Sequence, residues 1–199
     1  MKTIRPIGNT ETLRTFLAIR LPLEMAATLN KKARHRAGES LAEQLRWAAP
    51  QQQHITLRFL GNTTAEQLNK LVSRLGSVLA DEQAFDCMSG RFEFFPNARH
   101  PRVLALSMHS GQELKRLASV CEQVAIDCGF PKELRNFRPH VTQARFNNHQ
   151  HVTHSHFFSL PSYRMTAYEI MLMQSEQANG ITQYKTLHSF PLQSVAIPA

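Results

Sequence analysis

The chain has 199 residues, is 42% hydrophobic and 19% charged, and carries a formal charge of +8 with a pI near 9.9. This composition excludes a disordered or fibrous chain and supplies enough apolar residues for one substantial core. No apolar run reaches the ~18 residues needed to span a bilayer, and the positive charge favours a polyanionic partner, nucleic acid being the usual one.

Residues 1–12 contain Lys2 and Arg5 but no apolar stretch, so they read as a tail and not as a secretory signal. Arg14-Thr15-Phe16-Leu17-Ala18-Ile19 predicts a buried strand, and Pro22 opens a helix from about Leu23 to Arg36 that Gly38 ends. A weaker stretch from Leu41 to Trp47 leads through Pro50 into a strand over 54–60. Gly61-Asn62-Thr63-Thr64 closes that strand and caps a helix to about Ala80, with Thr63 or Thr64 as the N-cap and Thr63 and Glu66 at capping-box spacing. Phe85 to Phe95 and Arg102 to Ser107 are strands, and 112–128 is a helix stopped by Gly129. A loop through Pro131 then delivers a strand beginning at His140. After a polar loop with His149, His151, His154 and His156, strands at Tyr168 to Met173 and Thr182 to Phe190 are joined by an Asn179-Gly180 turn. Cys87, Cys121 and Cys128 have no metal-ligand spacing and read as reduced core thiols of a cytoplasmic protein. The second half repeats the strand–helix–strand order of the first. The chain is therefore expected to be one bilobal domain over 1–199, with tails at 1–12 and 192–199 and an internal pseudo-duplication.

One pattern occurs in both halves: His54-Ile55-Thr56-Leu57 and His140-Val141-Thr142-Gln143. A strand puts residues i and i+2 on one face, so each copy presents an imidazole beside a hydroxyl. In the first copy Ile55, Leu57 and Phe59 are expected to point into a core. Two imidazoles facing one volume suit paired acid–base work, since reference pKa values near ~6.5 allow one to be charged and one neutral. Threonine hydroxyls donate to phosphate oxygens, and neither motif has Asp or Glu within two residues, which argues for phosphoryl chemistry without a metal. Arg58, two beyond Thr56 on the same ideal face, is a candidate cation at the phosphate, a salt-bridged rim residue being the other reading. Arg145 falls on the opposite face of an ideal strand, so spacing supports it less.

These motifs, with the opening Arg14-x-Phe16-Leu17-Ala18-Ile19-x-Leu21-Pro22, the run Arg138-Pro139-His140-Val141-Thr142-x-Ala144-Arg145 and the closing Gly180-x-x-x-Tyr184-x-x-Leu187, resemble the 2H phosphoesterase superfamily. Within it they resemble the bacterial and archaeal RNA 2′,3′-cyclic phosphodiesterase branch. The resemblance covers about Arg14 to Phe190. It implies an α+β bilobal fold with two antiparallel sheets and flanking helices around a central cleft. It also implies hydrolysis of RNA 2′,3′-cyclic phosphate ends to 2′-phosphomonoesters. His54 would be the proton donor to the leaving oxygen and His140 the proton acceptor that activates water. Thr56 and Thr142, with Arg58 and Arg145, would bind the substrate. No cofactor, metal or membrane is expected, the partner is an RNA or oligonucleotide with a 2′,3′-cyclic phosphate, and the protein is expected to be a cytoplasmic monomer. Gln143 departs from the pattern, which usually has an apolar residue there, and the histidine-rich stretch 147–156 lies outside it. Three other readings are carried forward: a non-catalytic RNA or nucleotide module on the same fold, 2′-5′ RNA ligation, and a metalloprotein built on His149, His151, His154 and His156.

Overall fold

The apolar opening run forms β1 (Leu13–Arg20), paired with a strand on either side and buried from Thr15 to Ile19 because apolar side chains cover both of its faces. A computed structural model describes residues 12–147, 161–178 and 181–194. Its other strands are β2 (Leu45–Trp47), β3 (His54–Thr63), β4 (Phe85–Phe95), β5 (Val103–His109), β6 (His140–Phe146), β7 (Arg164–Ala167), β8 (Glu169–Ala178) and β9 (Ile181–Pro191). All pair antiparallel, in the order β7-β4-β5-β6-β3-β1-β8-β9, with β2 on β6. The described residues thus form a mixed α/β fold on one hydrogen-bonded sheet, where two separate sheets were expected. The two wings meet at a single register pair, Ile55↔Val141 between β3 and β6. That junction sits between the two His-x-Thr motifs.

The helices are α1 (Leu23–Glu43), α2 (Ala65–Val78) and α3 (Glu113–Asp127). Gly38, at φ +68°, breaks α1 as expected, but helix resumes beyond it to Glu43. The N-cap of α2 is Thr64, in a capping box with Gln67, and not Thr63 with Glu66. Thr63 is unavailable because its hydroxyl lies in the sheet, 2.7 Å from that of Thr15. The faces of α2 and α3 that carry Leu68, Leu71 and Leu75, and Leu114, Leu117 and Cys121, join the main core with Leu17, Ile19, Ile55, Leu104, Leu106 and Val141. Asn30 ties α1 to the next segment by donating to the Ala48 carbonyl at 2.9 Å.

A second, smaller apolar cluster covers the opposite side of β1: Phe16, Ala18, Met171 and Met173, with Tyr184 against it. It is the floor beside the first motif.

The final ladder is longer than its apolar residues suggest, running from Glu169↔Pro191 to Ala178↔Ile181. Leu192 and Gln193, expected in a tail, are docked instead. Leu192 is buried, and Gln193 exchanges backbone hydrogen bonds of 2.7 Å with Glu82 and Ala84. The Asn179-Gly180 turn, the loop carrying His149, His151, His154 and His156, and residues 1–11 and 195–199 lie outside the described residues. No helix among the described residues is long and apolar enough to cross a membrane.

Candidate active site

The two motifs occupy matching places in the sheet. Register continued one residue from Ile55↔Val141 sets His54 across from Thr142 and Thr56 across from His140. Directly behind, β1 puts Arg20 opposite His54 and Ala18 opposite Thr56, and β5 puts Ser107 opposite His140 and Ala105 opposite Thr142. Both histidines and both threonines are half-buried on the open face, while Ile55 and Val141 are buried behind them.

Each motif ends in a bulge at the same position. In β3 the pairing passes from Ala18↔Thr56 to Leu17↔Arg58 and leaves Leu57 as the extra residue. In β6 it passes from Ala105↔Thr142 to Leu104↔Ala144 and leaves Gln143. An extra residue reverses the alternation beyond it. Arg58 therefore turns into the protein, 6% exposed, and Phe59 turns outward, 50% exposed. Ala144 is likewise buried and Arg145 exposed.

This corrects two expectations. Phe59 is not core but stands on the open face, its ring 6.1 Å from that of Phe16. Arg58 does not share the face of Thr56. It pairs with Glu122 on α3 and donates to the carbonyls of Phe59 and Pro131, holding the loop before β6 against β3. Arg145, the weaker candidate by spacing, is the one that turns to the open face, and its charge lowers the His54 pKa.

Both imidazoles are anchored in one way. His54 Nδ1 lies 2.7 Å from the Gln52 carbonyl and His140 Nδ1 2.7 Å from the Arg138 carbonyl, each two residues back. A carbonyl only accepts, so Nδ1–H donates in both and Nε2 is left to exchange a proton. Each ring also has an aromatic neighbour. Phe16 lies tilted against His54 at 4.9 Å with Tyr184 edge-on at 5.0 Å, and Phe95 stacks on His140 at 4.5 Å with the Arg138 guanidinium 4.1 Å over the Phe95 ring. Glu93 accepts from Arg138 at 3.0 Å.

This setting opposes protonation. Burial pushes the His54 pKa down to about 4, helped by the charges of His140, Arg20 and Arg145 and opposed by the hydrogen bond to Gln52. His140 is lowered too, chiefly by burial, opposed by its hydrogen bond to the Arg138 carbonyl and by the Glu93 charge, while the charge of Arg138 adds to the lowering. The Cys121 thiol, pushed up to about 12 by burial, offers no nucleophile. Among the described residues no three His, Cys, Asp or Glu side chains come together as a metal site.

Behind the motifs lies a pair that the pattern did not announce. Gln143 Nε2 donates to Gln53 Oε1 at 3.1 Å, and both side chains are buried. The polar departure at Gln143 is thus met in part by a second glutamine, the residue before His54, while Gln143 Oε1 and Gln53 Nε2 stay buried without a hydrogen-bond partner. Arg20 was also missed as a site residue. Its place on one face with Phe16 and Ala18 follows from strand alternation, but its position beside His54 depends on the β1–β3 register.

Residues 25–179 match the family described as the 2′-5′ RNA ligase superfamily. The chain belongs to that superfamily. The resemblance read from the motifs is thereby borne out. A relative from Bacillus subtilis, named RNA 2′,3′-cyclic phosphodiesterase, is 31% identical over 130 residues, 65% of this chain and 69% of the relative. One of the same name from Aquifex aeolicus is 31% identical over 110 residues, 54% of this chain and 58% of the relative. Among solved structures of the superfamily, that of E. coli LigT complexed with 3′-AMP superposes with a TM-score of 0.77 at 27% identity, covering 92% of this chain and 99% of LigT.

Proposed function

We propose that this protein hydrolyses the 2′,3′-cyclic phosphate at the end of an RNA or oligonucleotide to a 2′-phosphomonoester, by general acid–base catalysis without a metal. The observation that carries this reading is the matched pair of imidazoles, each with Nδ1 fixed by a carbonyl, on either side of one strand junction. Relatives named RNA 2′,3′-cyclic phosphodiesterase and a neighbour that holds 3′-AMP support the substrate class. The repeated placement of motif, bulge and anchoring carbonyl favours an origin by internal duplication into two lobes.

In-line displacement puts the attacking water and the leaving oxygen on opposite sides of phosphorus. His140 Nε2 takes a proton from water as its oxygen bonds to phosphorus. The bond from phosphorus to the 3′-oxygen breaks, and His54 Nε2 gives its proton to that oxygen. The histidines end with protonation exchanged and reset through solvent. Thr56 and Thr142 donate to the non-bridging oxygens. Arg145 and Arg20 supply positive charge on the His54 side; a bound phosphate offsets both and returns the His54 pKa toward the range where it holds a proton. The donors at hand are imidazole and hydroxyl, which suit proton transfer and anion binding better than a divalent cation that prefers oxygen ligands.

His54→Ala and His140→Ala each remove one proton transfer, so each is expected to lower kcat/KM by roughly 10²-fold or more. A variant that keeps more than about a tenth of wild-type turnover while folded overturns the role of that residue. A chain that binds the cyclic phosphate without turning it over is the non-catalytic module instead.

A further inference from the structure

Beside the reacting centre, strand pairing brings two arginines together. β2 lies on β6 with Arg46 directly across from Arg145, and neighbouring strands are only ~4.8 Å apart. The flanking pairs fix their common face. Leu45↔Phe146 and Trp47↔Ala144 turn toward the core, so Arg46 and Arg145 turn to the open side, and both are exposed. Among the described residues neither has a carboxylate partner in an ion pair, although seven other arginines do. Like charges opposed on a sheet repel. An anion seated between them turns that repulsion into two charge-assisted hydrogen bonds.

The pair also lies in line with the catalytic centre. Arg145 is close enough to act on His54, and Arg46 is one strand further out. A terminal nucleotide held by the histidines and threonines extends its 5′-phosphate away from that centre. We propose that Arg46, together with Arg145, forms a subsite for the backbone phosphate next to the cyclic end, so that the protein prefers oligonucleotides to mononucleotides. This rests on the reading of the site given above and adds to it the length of substrate that the site recognises.

The test uses the product form of the ligand, so it does not depend on turnover. Affinities are measured for a trinucleotide ending in a 2′-phosphate and for a nucleoside 2′-monophosphate, with the wild type, Arg46→Gln and Arg46→Lys. The wild type should favour the trinucleotide. Arg46→Gln should cut that preference about tenfold or more, the worth of one charge-assisted contact, and Arg46→Lys should restore part of it. The log–log salt slope for the trinucleotide should become shallower by about 0.7 in Arg46→Gln. Relief of repulsion should leave the melting temperature of Arg46→Gln at or above that of the wild type, which separates this role from a structural one. Equal wild-type affinity for both ligands, or an Arg46→Gln preference equal to that of the wild type, overturns the subsite. Tight binding of the 2′-phosphate trinucleotide, with no hydrolysis of the corresponding 2′,3′-cyclic phosphate, would overturn the catalytic reading and leave the subsite standing.

Discussion

At the scale of single residues, Gln53 and Gln143 are the least expected feature of the site. A buried amide that loses its partner costs about 1–3 kcal/mol, whereas replacing both partners by apolar groups is close to neutral. Gln143→Leu alone should therefore lower stability by about that amount, and Gln53→Leu/Gln143→Leu together should recover most of it. Urea denaturation of the four proteins measures the coupling; strictly additive losses would show that the two amides do not act as a pair. Because each glutamine adjoins a motif, Gln143→Leu alone should also lower kcat more than it raises KM. The histidines and threonines themselves were legible from the chain, since period two puts them on one face whatever the register. Arg58 and Arg145 were not. Each bulge inserts one residue between motif and arginine, so counting by twos assigns both to the wrong face, and nothing in Leu57 or Gln143 marks a bulge.

At the scale of elements, Arg58 shows what the first bulge achieves. By turning inward it joins β3, α3 and the loop that delivers His140 through Glu122 and the carbonyls of Phe59 and Pro131. Removing one partner of a buried ion pair leaves the other uncompensated, at a cost of about 3–5 kcal/mol. Arg58→Met should lower stability by about 3 kcal/mol, with any kinetic loss following from misplacement of His140. Loss of activity at unchanged stability would instead return Arg58 to substrate binding. The long elements were readable because α2 and α3 carry clear apolar stripes and β4 alternates around Phe92 and Phe94. The short strands β2 and β7 were missed, for three or four residues are too few to show a period. The docking of Leu192 depends on tertiary contacts that no local pattern announces.

For the whole molecule, both histidines are tuned below the usual imidazole range, and this has two consequences for pH. The first concerns stability. An unfolded His54 takes up a proton near 6.5, whereas the folded one resists until about 4, so stability is lost as pH falls through that window. The full difference corresponds to about 3 kcal/mol. His54→Gln should remove this part of the acid sensitivity, as denaturation at pH 7 and pH 4.5 would show; equal acid sensitivity in both proteins would contradict it. The second concerns turnover. Catalysis needs one imidazole charged and one neutral, so kcat/KM should be bell-shaped with its optimum below about 6.5. The optimum in kcat should lie higher, since a bound phosphate anion favours the charged imidazole. An optimum in kcat/KM above neutrality would show that the free cleft is not tuned as described. The central claim, two histidines opening the ring toward the 3′-oxygen without a metal, is tested most directly by phosphorus NMR of an oligonucleotide 2′,3′-cyclic phosphate incubated with the protein in excess EDTA. The account predicts a single 2′-monoester with a free 3′-hydroxyl; a 3′-monoester, an equal mixture, or turnover that returns only when a divalent metal is added would contradict it.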